Sequence, residues 1–366
     1  MNVLFLTTHL NTGGIGIYLK TLSKELICAG HKVTIVASDG DLKDDLCAQG
    51  VTVRILDIKT KSELSPKIYR ALNDVSDIIR EKQIDIIHAH TRVTQVMATL
   101  LARKHKIPYI STCHGFFKTR LSRRIFPCWG DAVIAISSAV QEHLEHKFKV
   151  EPCKIHLIEN GIDREQFTFQ DQDTRQKMRQ ELGIENDFVI GLIARLSDVK
   201  GQDILIEAMQ EVIGQHPLER LVLVGQGKEE AALKVQVNNL RLEEKVMFLP
   251  TVNQTANILP AFDVFAMPSR QEGLGLSVLE AQASGVPCIT SNVGGLPALI
   301  EHEQTGLLVP AQNSKALADA IVRLIKDGEL RQRIAESAYK NMDARWSSQT
   351  MGTKVIHLYE ELLKKS

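Results

Sequence analysis

A rhythm limits what this chain can fold into. Short apolar runs alternate with amphipathic helical stretches from one end to the other. "NVLFL" (2–6), "KVTIVA" (32–37), "VTVRIL" (51–56), "IDIIHAH" (84–90), "PYISTC" (108–113) and "DAVIAIS" (131–137) have the length and near-continuous apolarity of strands covered on both faces. Helical patterns over 17–29, 66–82 and 92–105 fall between them. This is the βαβ order of a doubly wound parallel sheet. The order pauses at "KIHLIENGIDREQFTFQDQD" (154–173), which holds one strand and then a polar stretch with an Asn-Gly turn. It restarts with "FVIGLIA" (188–194), "RLVLVG" (220–225), "KVMFLP" (245–250), "DVFAMP" (263–268) and "VPCITS" (286–291). At 366 residues the chain exceeds what one core usually holds. The expectation is an α/β protein of two Rossmann-like domains, 1–165 and 166–348, facing each other across a cleft. The remaining stretch, 349–366, reads as an amphipathic helix ending on Lys364 and Lys365, where the helix dipole favours cations.

Several function classes drop out on composition. Lys plus Arg and Asp plus Glu balance at 44 each, which gives no support for a nucleic-acid partner. No stretch approaches the roughly 18 apolar residues of a spanning helix. The opening "MNVLFLTTHLNTGG" lacks the basic and long apolar regions of a secretory signal and reads as a first strand. The six cysteines form no C-x-x-C pair and sit at no zinc-ligand spacing, so they read as free thiols in a reducing cytosol.

Open α/β sheets bind ligands outside the carboxyl ends of their strands, so the loops that follow strands carry the candidate chemistry. "TGGIG" (12–16) follows the first strand and opens a helix. Glycines there let backbone approach an anion at the helix start. The dinucleotide spacing G-x-G-x-x-G fails, because counting from Gly14 and Gly16 the third position is Leu19. Phosphate or acceptor contact is the favoured reading and a plain tight turn the alternative. In "LIARLSDVKGQD" (192–203), Arg195 and Lys200 follow a strand and precede a helix. Two cations there suit a diphosphate, Arg as a fork and Lys as a point charge; the alternative is a solvated loop. In "QEGLGLSVLEA" (271–281), Glu272 and Glu280 flank a glycine turn and a helix start. Free backbone N–H groups at Leu274–Leu276 and Ser277 would make an anion site, and the carboxylates suit sugar hydroxyls. Against this, Ser277-x-x-Glu280 also fits a capping box, and Glu272 could be an ordinary loop acid. His88 and His90 would need a third ligand to hold a metal, and none is evident.

The spacing E-x7-E from Glu272 to Glu280, preceded by Arg195-x4-Lys200 and the N-terminal Gly-Gly-x-Gly loop, resembles the retaining GT-B glycosyltransferases of family four. The likeness runs through "STCHG" (111–115), "ENGID" (159–163) and "TSNVGGLPALIE" (290–301) to the closing helix. It implies that Arg195 and Lys200 neutralise the donor diphosphate, that Glu272 holds hydroxyls of the transferred sugar, and that Glu280 holds the ribose. The amides of Gly273, Leu274, Gly275 and Leu276 would touch sugar and phosphate. Gly14, beside Gly13, would approach the phosphate from the other domain, and the helix 349–366 would cross back to the N-terminal, acceptor-side domain. The C-terminal domain would hold the nucleotide sugar. A lone histidine is more often structural, but the resemblance places His114 against the transferred sugar, with Asn160 and Gly161 on the same floor.

The resemblance implies front-face attack by the acceptor hydroxyl with no protein nucleophile. Charge on the leaving diphosphate would be stabilised by Arg195, Lys200 and the helix start, with no metal and no cofactor expected beyond the nucleotide sugar. The D-x-D at Asp39–Asp41 reads as an incidental turn. "FFKTRLSRRIFPCW" (116–129) interleaves Lys118, Arg120, Arg123 and Arg124 with Phe116, Phe117, Leu121, Ile125 and Phe126. It is either a membrane-surface element or a helix packed on its apolar side and wet on the other. The expectation is a cytoplasmic, retaining hexosyltransferase at the inner face of the membrane, passing a sugar from a UDP-sugar to a glycan or lipid-linked acceptor for envelope polysaccharide or lipopolysaccharide. A UDP-sugar epimerase or other isomerase on the same fold, and a non-catalytic nucleotide-sugar sensor, are the alternatives.

Overall fold

The computed structural model describes residues 1–366 apart from Lys61, Pro217, Asp343 and Ser366. The chain forms two compact units, Met1–Gly161 with Ser347–Ser366, and Ile162–Trp346. The division falls four residues before the expected position, and the last helix starts at Ser348.

The first unit is built on seven parallel strands: β1 (Asn2–Leu6), β2 (Lys32–Ala37), β3 (Thr52–Ile55), β4 (Ile86–Ala89), β5 (Tyr109–Cys113), β6 (Ala132–Ala135) and β7 (Ile155–Leu157). Their order across the sheet is β3-β2-β1-β4-β5-β6-β7. The apolar run of β1 is continuous because alternate side chains serve opposite layers. Val3 and Phe5 pack with Leu19, Leu22, Met351, Val355 and Tyr359. Leu4 and Leu6 pack with Ile68, Val75, Val93 and Met97 on the other face. The helices Gly14–Cys28 and Ser348–Lys365 thus cover one side, and Pro66–Glu81 and Arg92–His105 the other. Gly352 lets two helices touch, since a Cβ there would lie 2.5 Å from the Cβ of Glu25.

The second unit has six parallel strands: β8 (Phe188–Ile193), β9 (Glu219–Val224), β10 (Val246–Leu249), β11 (Val264–Met267), β12 (Cys288–Ser291) and β13 (Leu307–Val309), in the order β10-β9-β8-β11-β12-β13. Gly191 in β8 is required by packing, because a Cβ would come within 2.0 Å of the Phe262 ring. At the amino ends of these strands Asp263 collects Arg175 at 2.6 Å, Arg179 at 2.5 Å and the Val189 N–H at 2.7 Å. In both sheets the strand order reverses beside the first strand, at β1/β4 and at β8/β11. These are the switch points where doubly wound sheets open a crevice at their carboxyl ends.

Most strands lie where the apolar runs put them, trimmed by a residue or two. Two elements differ. The first helix starts at Gly14, three residues earlier than the periodicity predicts, because Gly13 is its N-cap. Strand β13 escapes the pattern because it is three residues long.

Candidate active site

Strands β8 and β11 are neighbours, with Ile190 opposite Val264 and Gly191 opposite Phe265. The loops at their carboxyl ends therefore emerge side by side at the switch point. They are also stitched together. The Arg270 N–H donates to the Val199 carbonyl at 2.8 Å. The Arg270 guanidinium forks onto Asp203 at 2.7 and 2.5 Å and donates to the Asp198 carbonyl at 2.8 Å. Gly201 sits at φ 72°, and a Cβ there would meet the Pro268 carbonyl oxygen at 2.1 Å, so the two backbones could not close on each other around any larger residue.

This seam brings Lys200 and Glu272 together, and the ammonium donates to Glu272 Oε2. Arg195 leaves the end of β8 with its side chain exposed, while its carbonyl accepts from Gln202 Nε2 at 2.9 Å. On the other side of Glu272, its carbonyl accepts from the Gly295 N–H at 3.0 Å. A Cβ on Gly295 would lie 2.4 Å from the Gly273 oxygen, so the glycine turn rests on backbone.

Helix Leu276–Ala283 begins directly after this turn, with Gly275 as its N-cap at φ 107° and no side chain capping it. The capping-box alternative is thereby corrected. Ser277 lies inside the first turn, not at the cap, and Glu280 accepts from Thr255 Oγ1 at 2.9 Å. Glu280 is buried, and burial pushes its carboxyl up to about 7 against the weaker opposing effect of the Thr255 hydrogen bond. A buried carboxyl that is about half ionised at pH 7 is a costly structural element and can accept hydrogen bonds from paired hydroxyls.

The first unit has its own cluster at the ends of β4 and β5. His88 Nδ1 shares a proton with the Tyr359 hydroxyl at 2.7 Å, and its Nε2 with Thr112 Oγ1 at 2.6 Å. His90 Nδ1 faces His114 Nε2 at 3.2 Å, and Tyr18 meets the His114 ring edge-on at 4.9 Å. Burial lowers all three histidines, His114 to about 3, so each is a neutral imidazole at pH 7. Their bonds run to hydroxyls and to each other. Among the described residues no group of three or more His, Cys, Asp or Glu is arranged to hold a metal ion.

Gly13 and Gly14 have open space where a Cβ would stand, whereas Gly16 is packed, its Cβ position lying 2.4 Å from the Asn11 oxygen. Packing within the loop thus accounts for Gly16 and leaves the other two free for a ligand's approach. Asn160 and Gly161 follow β7, two strands from β5, so the sheet alone does not seat them beside His114. Asn160 is buried with its Oδ1 unpartnered, and the Gly161 N–H points at Met351 Sδ at 3.4 Å. In the D-x-D, Asp41 accepts from the Thr12 N–H at 2.6 Å and ties down the first loop.

The basic-aromatic segment departs from the packed-helix reading. Only Leu121–Ile125 is helical. Arg123 is buried 4.0 Å from the Phe117 ring centroid, 5.0 Å from Trp129 and 5.6 Å from Phe148. Burial lowers it to about 10. Leu121 and Ile125 point out instead, 72% and 74% exposed. Arg123 is therefore not a surface cation; Lys118, Arg120 and Arg124 are.

Residues 12–166 match the family Glycosyltransferase Family 4, and residues 174–341 match Glycosyl transferases group 1. The chain is 30% identical to the UDP-Gal:alpha-D-GlcNAc-diphosphoundecaprenol alpha-1,3-galactosyltransferase of Escherichia coli, over 71% of each chain. It belongs to the family-four glycosyltransferases. This glycosyltransferase is also 26% identical to N-acetyl-alpha-D-glucosaminyl L-malate synthase of Bacillus anthracis, over 98% of its own length and 97% of the relative's. Its fold superposes on Anabaena HepE in complex with UDP and glucose with a TM-score of 0.88, at 25% identity, covering 99% of this chain and 100% of that one. The fold is GT-B, and the enzyme is a glycosyltransferase. No helix among its described residues is long and apolar enough to cross a membrane.

Sequence reasoning missed Arg270, Asp203 and Thr255 in this glycosyltransferase, and the hydroxyl partners Tyr18, Thr112 and Tyr359 around the histidines. None of these lies at a motif spacing from the residue it serves. Arg270 and Asp203 are 67 positions apart, and His88 and Tyr359 are 271 apart.

Proposed function

We propose that this glycosyltransferase is a retaining hexosyltransferase. It takes a sugar from a nucleotide diphosphate donor, UDP-linked, and passes it to a glycan or lipid-linked acceptor in envelope polysaccharide or lipopolysaccharide synthesis. The observation that carries the reading is the seam at the β8/β11 switch point, where Lys200, Glu272 and an uncapped helix start meet. Cationic and main-chain groups there suit a diphosphate, and Glu272 suits the hydroxyls of the sugar attached to it. Glu280, buried and about half ionised at pH 7, receives the ribose hydroxyls. His114, neutral, contacts the transferred sugar as a hydrogen-bonding partner and not as a cation. The names of the galactosyltransferase and of the UDP-containing HepE structure support a UDP-sugar.

In this reading the acceptor hydroxyl attacks the anomeric carbon on the face that the diphosphate is leaving. The new C–O bond forms as the bond to phosphate breaks, and the hydroxyl proton passes to the departing phosphate oxygen. Arg195, Lys200 and the Leu276–Ala283 helix start stabilise the charge that grows there. The reading assigns that work to protein groups, without a metal or other cofactor.

The exposed Leu121, Ile125 and Phe126, flanked by Lys118, Arg120 and Arg124, fit contact with an anionic membrane surface, which suits a lipid-linked acceptor at the cytoplasmic face. Lys200→Ala and Arg195→Ala are expected to lower turnover of labelled donor by about 100-fold or more each. Near-normal rates in both would overturn the donor-site assignment. The same assay separates the alternatives, since an isomerase changes the sugar with no acceptor-linked product and a sensor turns nothing over.

A further inference from the structure

The Lys200 ammonium already has a carboxylate partner within its own site. Glu272 Oε2 accepts from it, and the pair is mostly shielded, with side-chain exposures of 20% and 11%. Both groups belong to loops fixed against each other by Arg270 and by the Gly201–Pro268 approach, so neither can swing far away. A phosphate that recruits Lys200 therefore competes with Glu272 for the ammonium's charge and its three N–H donors. What happens to the carboxylate then depends on what else the ligand carries. An intact sugar nucleotide brings hydroxyls that donate to the released carboxylate. A nucleoside diphosphate lacks the transferred sugar's hydroxyls, and in the donor-site reading its ribose hydroxyls go to Glu280, not to Glu272.

We propose that Glu272 competes with phosphate for Lys200, so that the site discriminates against the sugar-free nucleotide and the internal ion pair helps to expel that product after transfer. The proposal rests on the donor-site reading above and deepens it. Once the sugar has left, Glu272 loses its hydroxyl partners while still shielded from water. Its nearest replacement partner is the Lys200 ammonium, 72 positions away in sequence and adjacent in space. Each return of Lys200 to Glu272 weakens the hold on the product phosphate. Apparent affinity for a ligand that needs the open pair falls by the fraction of time the pair is open. A partly shielded ion pair worth slightly more than an exposed one makes that factor about five- to tenfold.

The test is calorimetric titration of wild type, Glu272→Gln and Lys200→Ala with UDP, GDP, UDP-galactose and UDP-glucose. Glu272→Gln keeps the size of the side chain and one acceptor oxygen, replaces the other oxygen with an N–H2 donor, and removes the charge. It is expected to bind the nucleoside diphosphate about five- to tenfold more tightly than wild type. The same variant should lose affinity for the matching sugar nucleotide relative to the diphosphate, so the ratio of the two dissociation constants collapses. Unchanged or weaker diphosphate binding by Glu272→Gln, alongside clear loss in Lys200→Ala, overturns the competition and leaves the donor site standing. No loss in Lys200→Ala, or no nucleotide binding by wild type, overturns the donor-site reading itself and the competition with it. A melting curve for each variant, matching wild type within about 3 °C, confirms that the comparison is between folded proteins.

Discussion

Replacing Glu280 with Gln should stabilise this enzyme, increasingly so as pH rises from about 4.5 to about 7. Glu280 is buried in the Leu276–Ala283 helix with the Thr255 hydroxyl as its hydrogen-bond donor, and burial lifts its carboxyl from an ordinary value near 4.5 to about 7. Between those two values the folded chain holds a proton that the unfolded chain has released. The contribution to stability is therefore full below pH 4.5 and is lost as pH rises through about 7. At 1.36 kcal/mol for each tenfold change in proton affinity, the whole loss is about 3 kcal/mol. Gln has the same shape, can accept from Thr255, and does not ionise. The variant should match wild type within about 1 kcal/mol at pH 5 and exceed it by about 2–3 kcal/mol at pH 8. For a unit the size of Ile162–Trp346, that is a rise in melting temperature of about 5–10 °C. Calorimetric melts of both proteins at half-unit steps from pH 5 to pH 8.5 read this directly. Two curves running parallel across the whole range would refute the argument, because a pH-independent gap cannot come from a titrating carboxyl. The same group makes a binding prediction. If ribose hydroxyls donate to Glu280, they favour its charged form, and UDP binding at pH 7 should release about half a proton. Titration in buffers of different ionisation enthalpy measures that release.

Two further outcomes follow from the loops. Arg270→Lys keeps the charge but loses the fork onto Asp203 and the bond to the Asp198 carbonyl. It should raise the donor KM about tenfold while shifting melting by no more than about 3 °C, as steady-state kinetics and a melt would show; an unchanged KM would mean that the seam does not position Lys200 and Glu272. In the first unit, Leu121→Glu with Ile125→Glu should reduce sedimentation with phosphatidylglycerol vesicles several-fold and leave neutral vesicles unaffected, and equal binding by wild type and variant would dismiss the membrane contact.

Strand positions were legible because a strand covered on both faces must be apolar at nearly every residue, as Val3–Leu6 and Leu221–Val224 are. Helix starts were less so, since glycine is read as a breaker and Gly14 and Gly16 lie inside a helix. The pairing of Lys200 with Glu272 could be anticipated from strand order, which puts the loops after β8 and β11 together. Arg270 could not, because its partner lies across a loop contact that no local spacing encodes. Arg123 misled for a different reason. An amphipathic pattern assumes that guanidinium faces water, and three aromatic rings give it an interior alternative.

The helix Ser348–Lys365 supplies Met351, Val355, Leu358 and Tyr359 to the core of the first unit. On the ribosome, strands β1 to β7 emerge early but cannot be sealed until this helix has been translated, more than 180 residues after β7 ends. The unit encoded second has no such wait. Nascent chains of this enzyme should thus bury the middle of the sequence first, leaving the opening sheet with one greasy face in need of shelter for about ten to forty seconds at ordinary elongation rates.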